Sequence, residues 1–372
     1  MLLETKAISD LRTLFKGRVI MPDDAGYDQA RTVFYGGHSV TEGGIVLDLS
    51  GMKALQIDVQ RRMAWAQAGL TAGEYTEAAA AHGLATGFGD TGSVGIGGLT
   101  LGGGVGYLVR KYGLTIDDLL AAMGGMLILP ATPDVIASFI AEAEAAPEEL
   151  STIANVMIAP PMPFLPAEVH GKLVVMGMLV YAGDATAGER VVARFRSLAT
   201  PLVDMVRPMR YPEIYPPEQG DYHPVAAART MFVDTIDRSV AETILDHLKA
   251  STGSMAVAQL RVLGGAMARV PAEATAFAHR RRRVMVNVAA LYDRPDEQAV
   301  HQAWVTDFAA ALRQGEPGAY VNFLGDEGEA RIREAYPGST WKRLAAVKRR
   351  YDPTNLFRLN HNIPPTAEAP QP

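Results

Sequence analysis

The hydrophobic pattern of the first third of the chain predicts strands and one helix. Short apolar runs of strand length occur at residues 45–49, 55–58 and 63–66. An alanine-rich stretch with helical spacing follows at residues 73–82 and stops before Gly83, and a glycine at this place is typical of a helix end. The pattern therefore predicts a strand-rich segment that leads through one helix to residues 87–113.

After residue 123 the pattern becomes an alternation of apolar strands and amphipathic helices. We expect strands at residues 126–129, 155–158, 173–180, 256–263 and 284–291 and helices at residues 133–145, 187–198, 239–250 and 295–312. This alternation predicts an α+β arrangement, with a sheet covered by helices on one side. A last helix at residues 341–347 precedes the extended segment YDPTNLFRLNHNIPP.

Composition excludes several classes of protein. The 372 residues carry 35 basic and 41 acidic side chains, and the resulting net charge of −6 argues against nucleic acid as a partner. The chain has no cysteine, which excludes disulfides, zinc ribbons and cysteinyl cofactor links. No apolar run approaches the roughly 20 residues of a membrane helix, and the N-terminus lacks the apolar stretch of a secretory signal. We therefore expect a cytoplasmic protein that does not act at a membrane.

Glycine is concentrated in one segment. Residues 87–113 contain 11 of the 36 glycines, and from this density we expect neither a helix nor a regular strand. The apolar spacers between them, such as Val94, Leu99 and Val105, argue against a flexible linker, which would be rich in polar residues. Because successive glycine amides can approach a phosphate closely, the segment is predicted to hold a phosphate-bearing cofactor.

The letters GFGDTG at residues 87–92 match the dinucleotide-binding pattern GxGxxG. That pattern requires a helix that opens at its third glycine, and we expect no helix over the following residues, SVGIGG at 93–98. A nicotinamide-dependent dehydrogenase is therefore disfavoured. A P-loop is excluded because no Gly-Lys-Ser/Thr ends a glycine run.

Four motifs together resemble one protein family. TGSVGIGGLTLGGGVGYLVRKYGLTIDDLL at residues 91–120 resembles the FAD-binding stretch of the berberine bridge enzyme-like flavoproteins, which belong to the FAD-linked oxidases of the vanillyl-alcohol oxidase fold. YDPTNLFRLNHNIPP resembles the segment that closes the FAD domain of this family. GGHS at residues 36–39 resembles the loop whose histidine is joined covalently to the flavin, and YVNF at residues 320–323 resembles the active-site motif Y-x-N-Y/F.

The resemblance implies a discontinuous FAD-binding domain of the PCMH type at residues 1–123 and 340–372, with an α+β substrate domain of antiparallel sheet and helices inserted at residues 124–339. It implies FAD as the cofactor. The residues implied to bind FAD are Gly37, His38, Ser39, Thr91, Gly92, Ser93, Val94, Gly97, Gly98, Leu99, Gly102, Gly103, Gly106, Asn360 and Asn362. Doubly linked family members carry a cysteine where Thr91 stands, so a single covalent link through His38 is the one that this chain leaves open.

The resemblance also implies a reaction and its catalytic residues, Tyr320 and Asn322. Tyr320 would act as a general base, provided that its surroundings lower its pKa from about 10. A hydride would pass from an alcohol, sugar or secondary-metabolite substrate to flavin N5, and O₂ would reoxidise the flavin to give hydrogen peroxide. The alternative for each residue is an inert structural role, such as core packing for Tyr320 and a turn for His38.

Two blocks of the family's FAD domain have no counterpart in this chain, one before Gly36 and one after Leu120. Their absence would remove strands from the sheet that holds FAD. The alternative function is therefore a catalytically inert scaffold that binds a small molecule or a partner chain. The sequence predicts no oligomeric state. We interpret the basic run at residues 280–283 as a solvated entrance to a strand, and the alternative is a patch that binds an anionic substrate.

Overall fold

The computed structural model describes residues 11–13, 15–30, 45–115, 122–209, 211–215 and 225–366. In these ranges the strands are β1 (Arg18–Ile20), β2 (Val46–Asp48), β3 (Leu55–Asp58), β4 (Met63–Ala66), β5 (Ala122–Pro130), β6 (Leu150–Ile158), β7 (Leu173–Tyr181), β8 (Val203–Asp204), β9 (Arg207–Met209), β10 (Val225–Val233), β11 (Met255–Val262) and β12 (Val284–Tyr292). The helices are α1 (Tyr27–Ala30), α2 (Ala72–Ala80), α3 (Ile96–Leu101), α4 (Val109–Tyr112), α5 (Pro133–Ala145), α6 (Ala185–Arg196), α7 (Arg238–Ala250), α8 (Ala266–Arg269), α9 (Gln298–Ala311), α10 (Glu329–Ala335) and α11 (Ser339–Tyr351). Among these helices, none is long and apolar enough to cross a membrane.

Strands β5 to β12 form one eight-stranded sheet, which contains the five strands that the sequence predicts and three more, β8, β9 and β10. The order is β10–β12–β11–β6–β7–β5–β8, with β9 also paired to β5, and all pairs are antiparallel. Strands β11 and β6 therefore lie in the middle. The edge strand β10 was not predicted, because its sequence VAAARTMFV is rich in alanine and polar residues and lacks a run of branched apolar residues.

Helices α5, α6, α7 and α9 cover one face of this sheet, which confirms the predicted one-sided packing. Alternate strand residues, among them Leu127, Val175 and Val286, point into this layer. Phe139 of α5 is fully buried there, and a Cβ at Gly177 of β7 would come within 2.7 Å of its ring. The small residue in β7 therefore lets the aromatic ring of α5 lie directly on the sheet.

The glycine-rich segment covers the opposite face. Val105 and Leu114 share a core with sheet residue Met285, and Leu108 shares another with Ile153 and Val180. The segment is also held by a buried arginine in α4. The guanidinium of Arg110 donates to the carbonyl oxygens of Ala143 (2.6 Å), Ala146 (3.0 Å) and Leu150 (3.1 Å). The first two carbonyls belong to the C-terminal end of α5, where they have no partner within the helix. Arg110 therefore caps this helix end by donating hydrogen bonds to them from another part of the chain.

The first third of the chain has the predicted elements. β3 and β4 pair as an antiparallel hairpin, and α2 follows. Thr71 and Glu74 form a reciprocal capping box at the start of α2. Gly83, which lies just beyond the helix, has φ +68°, a conformation that glycine adopts without strain.

Helix α3 contradicts the expectation that residues 93–98 form no helix. It begins after Gly95, and Gly97 and Gly98 lie inside it. The neighbouring chain lies close at this point, because a Cβ at Gly97 would come within 3.2 Å of Ala68 Cβ. Tertiary packing thus outweighs the poor helix propensity of glycine. The sheet itself differs from a dinucleotide-binding Rossmann fold, because its strand pairs are antiparallel and it is not built of parallel βαβ units.

The interpretation of residues 280–283 as a solvated run is wrong for Arg280. Its side chain is 1% exposed. The guanidinium donates to Thr275 Oγ1 at 2.8 Å and to the carbonyl oxygen of Phe277 at 3.2 Å. The loop before β12 supplies these acceptors, and a buried charge is tolerated only where such acceptors exist.

Candidate active site

The glycine-rich segment lies between the sheet and the last part of the chain. The predicted FAD-binding residues fall into three stretches of it: Thr91, Gly92, Ser93 and Val94 in the loop before α3, Gly97, Gly98 and Leu99 within α3, and Gly102, Gly103 and Gly106 in the loop after it. Gly103 has φ +119°, in the region that favours glycine. Gly37, His38 and Ser39 lie outside the described residues.

The glycines of this segment have two different surroundings. A Cβ at Gly102 would come within 1.8 Å of Asn322 Oδ1, and one at Gly106 within 1.5 Å of the carbonyl oxygen of Phe88. Apart from their sequence neighbours and the backbone of α3 itself, Gly95 and Gly98 instead have no atom of the described residues within 4 Å of such a Cβ. Gly102 and Gly106 therefore allow close packing within the protein, whereas Gly95 and Gly98 border open space that a ligand can occupy.

Tyr320 and Asn322 are held against the glycine-rich loop. The Tyr320 hydroxyl accepts hydrogen bonds from the backbone N–H groups of Gly104 and Val105, both at 3.1 Å, and from Asn322 Nδ2 at 2.8 Å. Asn322 Nδ2 also donates to the carbonyl oxygen of Leu99 at 3.0 Å. The structure thus brings the two predicted catalytic residues together with the predicted cofactor loop.

The pKa of Tyr320 is raised above its usual value of 10.0, and burial is the largest cause. The hydrogen bonds from the Val105 N–H and from Asn322, together with the charge of Arg261, act in the opposite direction. The side chain is 2% exposed, so the loss of solvation outweighs these contributions. The condition set for Tyr320 as a general base, a lowered pKa, is therefore not met.

Arg261 of β11 joins the sheet to the glycine-rich loop. Its buried guanidinium forms an ion pair with the carboxylate of Asp90 and donates to the carbonyl oxygen of Val105 at 2.7 Å. It also donates twice to Gln259 Oε1, at 3.0 and 2.6 Å, and lies 5.1 Å from the ring centre of Phe323. One buried cation therefore contacts the cofactor loop, the sheet and the YVNF turn.

Sequence reasoning missed this arginine, although a signal was present. In the strand sequence MAVAQLRV, Gln259 and Arg261 are two residues apart and so share one face of an otherwise apolar strand. A buried polar pair of this kind needs partners. Asp90, in the glycine-rich segment, is the partner that the fold supplies.

A row of polar side chains crosses the sheet on the same face. Thr230, Asn287, Gln259 and Asn155 lie directly opposite one another on β10, β12, β11 and β6. Gln259 and Asn155 are partly exposed although they lie on the two middle strands. The face of the sheet is therefore open at this point, and the opening is bordered by Asp90, whose carboxylate lies 3.4 Å from Gln259 Nε2.

The predicted residues of the C-terminal segment lie beside the YVNF turn. His361 Nε2 is 3.1 Å from the carbonyl oxygen of Leu324, which follows that turn directly. Asn360 has φ 56°, and its carbonyl oxygen accepts the N–H of Asn362 at 2.9 Å. Asn362 Oδ1 is buried and has no hydrogen-bond partner among the described residues.

These features fit a cofactor that carries phosphates and hydrogen-bond donors. Gly95 and Gly98 border open space, and α3 begins without a side-chain cap, although the N–H of its first residue, Ile96, donates to the carbonyl oxygen of Leu70 at 3.0 Å. The unpartnered Asn362 Oδ1 can accept a hydrogen bond from a ligand donor. FAD has both kinds of group.

Comparison with known proteins identifies the class to which this arrangement belongs. Residues 30–123 match the family described as FAD binding domain, and residues 319–364 match the family described as berberine and berberine like. (R)-6-Hydroxynicotine oxidase of Paenarthrobacter nicotinovorans is 27% identical over 390 aligned positions, which cover 88% of this chain and 83% of that protein. An uncharacterised FAD-linked oxidoreductase of Bacillus subtilis is 25% identical, with coverage of 89% and 84%. The crystal structure of 6-hydroxy-D-nicotine oxidase from Arthrobacter nicotinovorans has a TM-score of 0.79 at 21% identity and covers 95% of this chain and 98% of that one.

The chain is thus an FAD-linked oxidoreductase with an α+β fold and an FAD-binding domain of the PCMH type. It is similar to the berberine bridge enzyme-like proteins in both matched segments, as the motifs predict, and its cofactor is FAD. The inert-scaffold alternative is not favoured. The alignment with (R)-6-hydroxynicotine oxidase has 390 positions, more than the 372 residues of this chain. The oxidase therefore has internal residues that have no counterpart in this chain.

A substitution at Gly98 tests whether the open space beside α3 holds FAD. Gly98→Val projects two methyl groups into space that no atom of the described chain fills, so the protein should fold normally. Overlap with a bound cofactor should cost about 1–3 kcal/mol, which lowers FAD affinity roughly 5- to 150-fold. The measurement is the flavin content per protein after gel filtration, made in the His38→Ala background so that a covalent bond does not hold the flavin. Gly51→Val, at a glycine that is also unobstructed but lies outside the segment, is the control and should keep its flavin.

Proposed function

We propose that the protein is an FAD-dependent oxidase that removes a hydride from a carbon bearing a hydroxyl or amine group, with O₂ as the final electron acceptor. The observation that carries this proposal is the junction at Tyr320, where the cofactor loop, the YVNF turn and the polar face of the sheet meet. In this reaction FAD supplies the two-electron acceptor. The name of (R)-6-hydroxynicotine oxidase, which aligns over 88% of this chain, supports an oxidase acting on a small molecule.

We further propose that residues 1–123 and 340–372 form the FAD-binding domain and residues 124–339 the substrate domain. Apart from the first two residues of β5, the sheet lies within residues 124–339, and its open polar face is directed at the glycine-rich segment. A substrate placed over Gln259 and Asn155 would lie between the sheet and this segment. The protein's contribution is then to position the substrate and to exclude water around it.

Tyr320 and Asn322 are proposed to position the glycine-rich loop. The Tyr320 oxygen receives three N–H donors, which is more than the two lone pairs of a neutral phenol accept ideally. This arrangement holds the loop at Gly104 and Val105 in one place. A further role for Tyr320 as the proton acceptor would require ionisation of a phenol whose pKa burial has raised.

The oxidase proposal is tested by the visible spectrum of the purified protein and by a single turnover. The protein should show flavin absorbance, lose it when an oxidisable substrate is added without air, and recover it with formation of hydrogen peroxide when air is admitted. Reduction that is reversed by an artificial dye but not by O₂ would contradict the oxidase assignment. A protein that contains no flavin and takes up no added FAD would contradict the function altogether.

The covalent link through His38 is tested by acid precipitation. The pellet of the unsubstituted protein should stay yellow, because a covalent bond survives denaturation, whereas His38→Ala should release its flavin into the supernatant. His82→Ala removes an exposed histidine outside the predicted site and should leave the pellet yellow. A yellow His38→Ala pellet would refute the link.

The pH dependence of Tyr320→Phe separates positioning from proton transfer. A general base acts in its deprotonated form, so a phenol with a pKa raised above 10 would give a rate of flavin reduction that rises with pH into the alkaline range. We expect instead that Tyr320→Phe leaves the pH profile unchanged and, in the His38→Ala background where no covalent bond holds the flavin, lowers flavin retention, because buried N–H groups left unpaired cost about 1–3 kcal/mol. Full flavin content combined with an about 100-fold slower anaerobic reduction would show that Tyr320 is the base.

A further inference from the structure

Arg261 determines the orientation of two amide side chains on the open face of the sheet. A guanidinium has only donors, so Gln259 presents Oε1 to it, at 3.0 Å from Nε and 2.6 Å from Nη2. Gln259 Nε2 then faces Asn155 and lies 3.0 Å from Asn155 Oδ1, which must be the acceptor. Asn155 therefore presents its remaining group, the Nδ2 amide with two N–H donors, away from Gln259.

This amide nitrogen has no hydrogen-bond partner within the part of the chain that the structure describes, and solvent reaches it. On the side of Asn155 that faces away from Gln259 the neighbours are apolar. Met176 lies directly opposite Asn155 on β7, and Met157 is the next residue of β6 on the same face of the sheet. In such surroundings a hydrogen bond is stronger and a mismatched polar group costs more.

The charges near this point balance each other. Arg261 is paired with Asp90, and Gln259 bridges both of them. A substrate at Asn155 therefore meets two neutral N–H donors next to methionine side chains. These groups suit a substrate in which a hydrogen-bond acceptor is attached to an apolar group. They disfavour a protonated amine at the same place, because it would direct its N–H donors at the N–H donors of Asn155.

We propose that Asn155 is a specificity-determining residue that donates a hydrogen bond to a carbonyl or ether oxygen of an uncharged substrate, and that Arg261 and Gln259 keep its amide in the donating orientation. This inference rests on the proposed function, because it assumes that the open face of the sheet receives the substrate. It narrows the substrate class to molecules with an oxygen acceptor beside an apolar part.

Two isosteric substitutions test the inference from different directions. Asn155→Asp keeps the acceptor for Gln259 Nε2 but replaces the outward N–H donors by a carboxylate oxygen. Gln259→Glu leaves Asn155 in place but puts a carboxylate oxygen where Gln259 Nε2 donated to Asn155 Oδ1. Because two acceptor oxygens repel each other, the Asn155 amide should turn, donate its N–H to the carboxylate and direct its own oxygen outward. Both variants thus remove the donor from the open face, one at the residue itself and one through its neighbour.

The readout is the binding of two small probes to the purified protein, measured by saturation-transfer NMR. N-Methylpyrrolidone accepts but does not donate hydrogen bonds, and pyrrole donates but has no lone-pair acceptor. We expect the protein to bind N-methylpyrrolidone, and both variants to raise its Kd by about 10-fold, the effect of one lost hydrogen bond to a mismatched group. Gln259→Glu should also bind pyrrole more tightly than the unsubstituted protein does.

Gln302→Glu, an exposed glutamine on α9, adds the same charge elsewhere and should change neither affinity. A Kd for N-methylpyrrolidone that stays within about twofold in both variants would overturn the inference, and so would the absence of binding to the unsubstituted protein. The NMR readout does not require flavin. A colourless protein would therefore contradict the proposed function, while the comparison of the probes would still decide the role of Asn155.

Discussion

The buried charge of Arg261 is the constraint on which the arrangement of the site depends. A guanidinium that is 3% exposed is tolerated only if nearly all its donors have acceptors. Two of its acceptors, Asp90 and Val105, come from the distant glycine-rich segment, and the third, Gln259, lies two residues away on the same strand. Moving the segment away from the sheet would leave a buried charge unpaired, so this ion pair restricts the distance between the two, together with the shared hydrophobic cores.

Other parts of the site follow from this fixed distance. With Val105 held by Arg261, its N–H and that of Gly104 reach the Tyr320 hydroxyl, and Asn322 can pack closely on Gly102. The same arginine orients Gln259, so the polar groups on the sheet have a defined direction as well. The chemistry of the family belongs to FAD, and the contribution of this chain is to hold the surrounding groups in place.

Much of the fold could be predicted from local pattern, because strands β6, β7, β11 and β12 and helices α5, α6, α7 and α9 have clear apolar periodicity. Helix α3 could not, since it depends on contact with Ala68 and not on its own glycine-rich sequence. The motifs indicated Tyr320 and Asn322 and the cofactor loop. The direction of the Tyr320 pKa shift and the role of Arg261 depend on burial and on partners over 150 residues away, which no local pattern contains.

The most direct test of this account is hydrogen exchange of the backbone amides at residues 99–108 in Arg261→Met. If Arg261 holds the glycine-rich loop on the sheet, these amides should exchange at least about 10-fold faster than in the unsubstituted protein, while β6 and β12 stay protected. Arg229→Met, which removes an arginine paired with Glu327, should leave the loop unchanged. Unchanged protection of residues 99–108 in Arg261→Met would contradict the central role assigned to this ion pair.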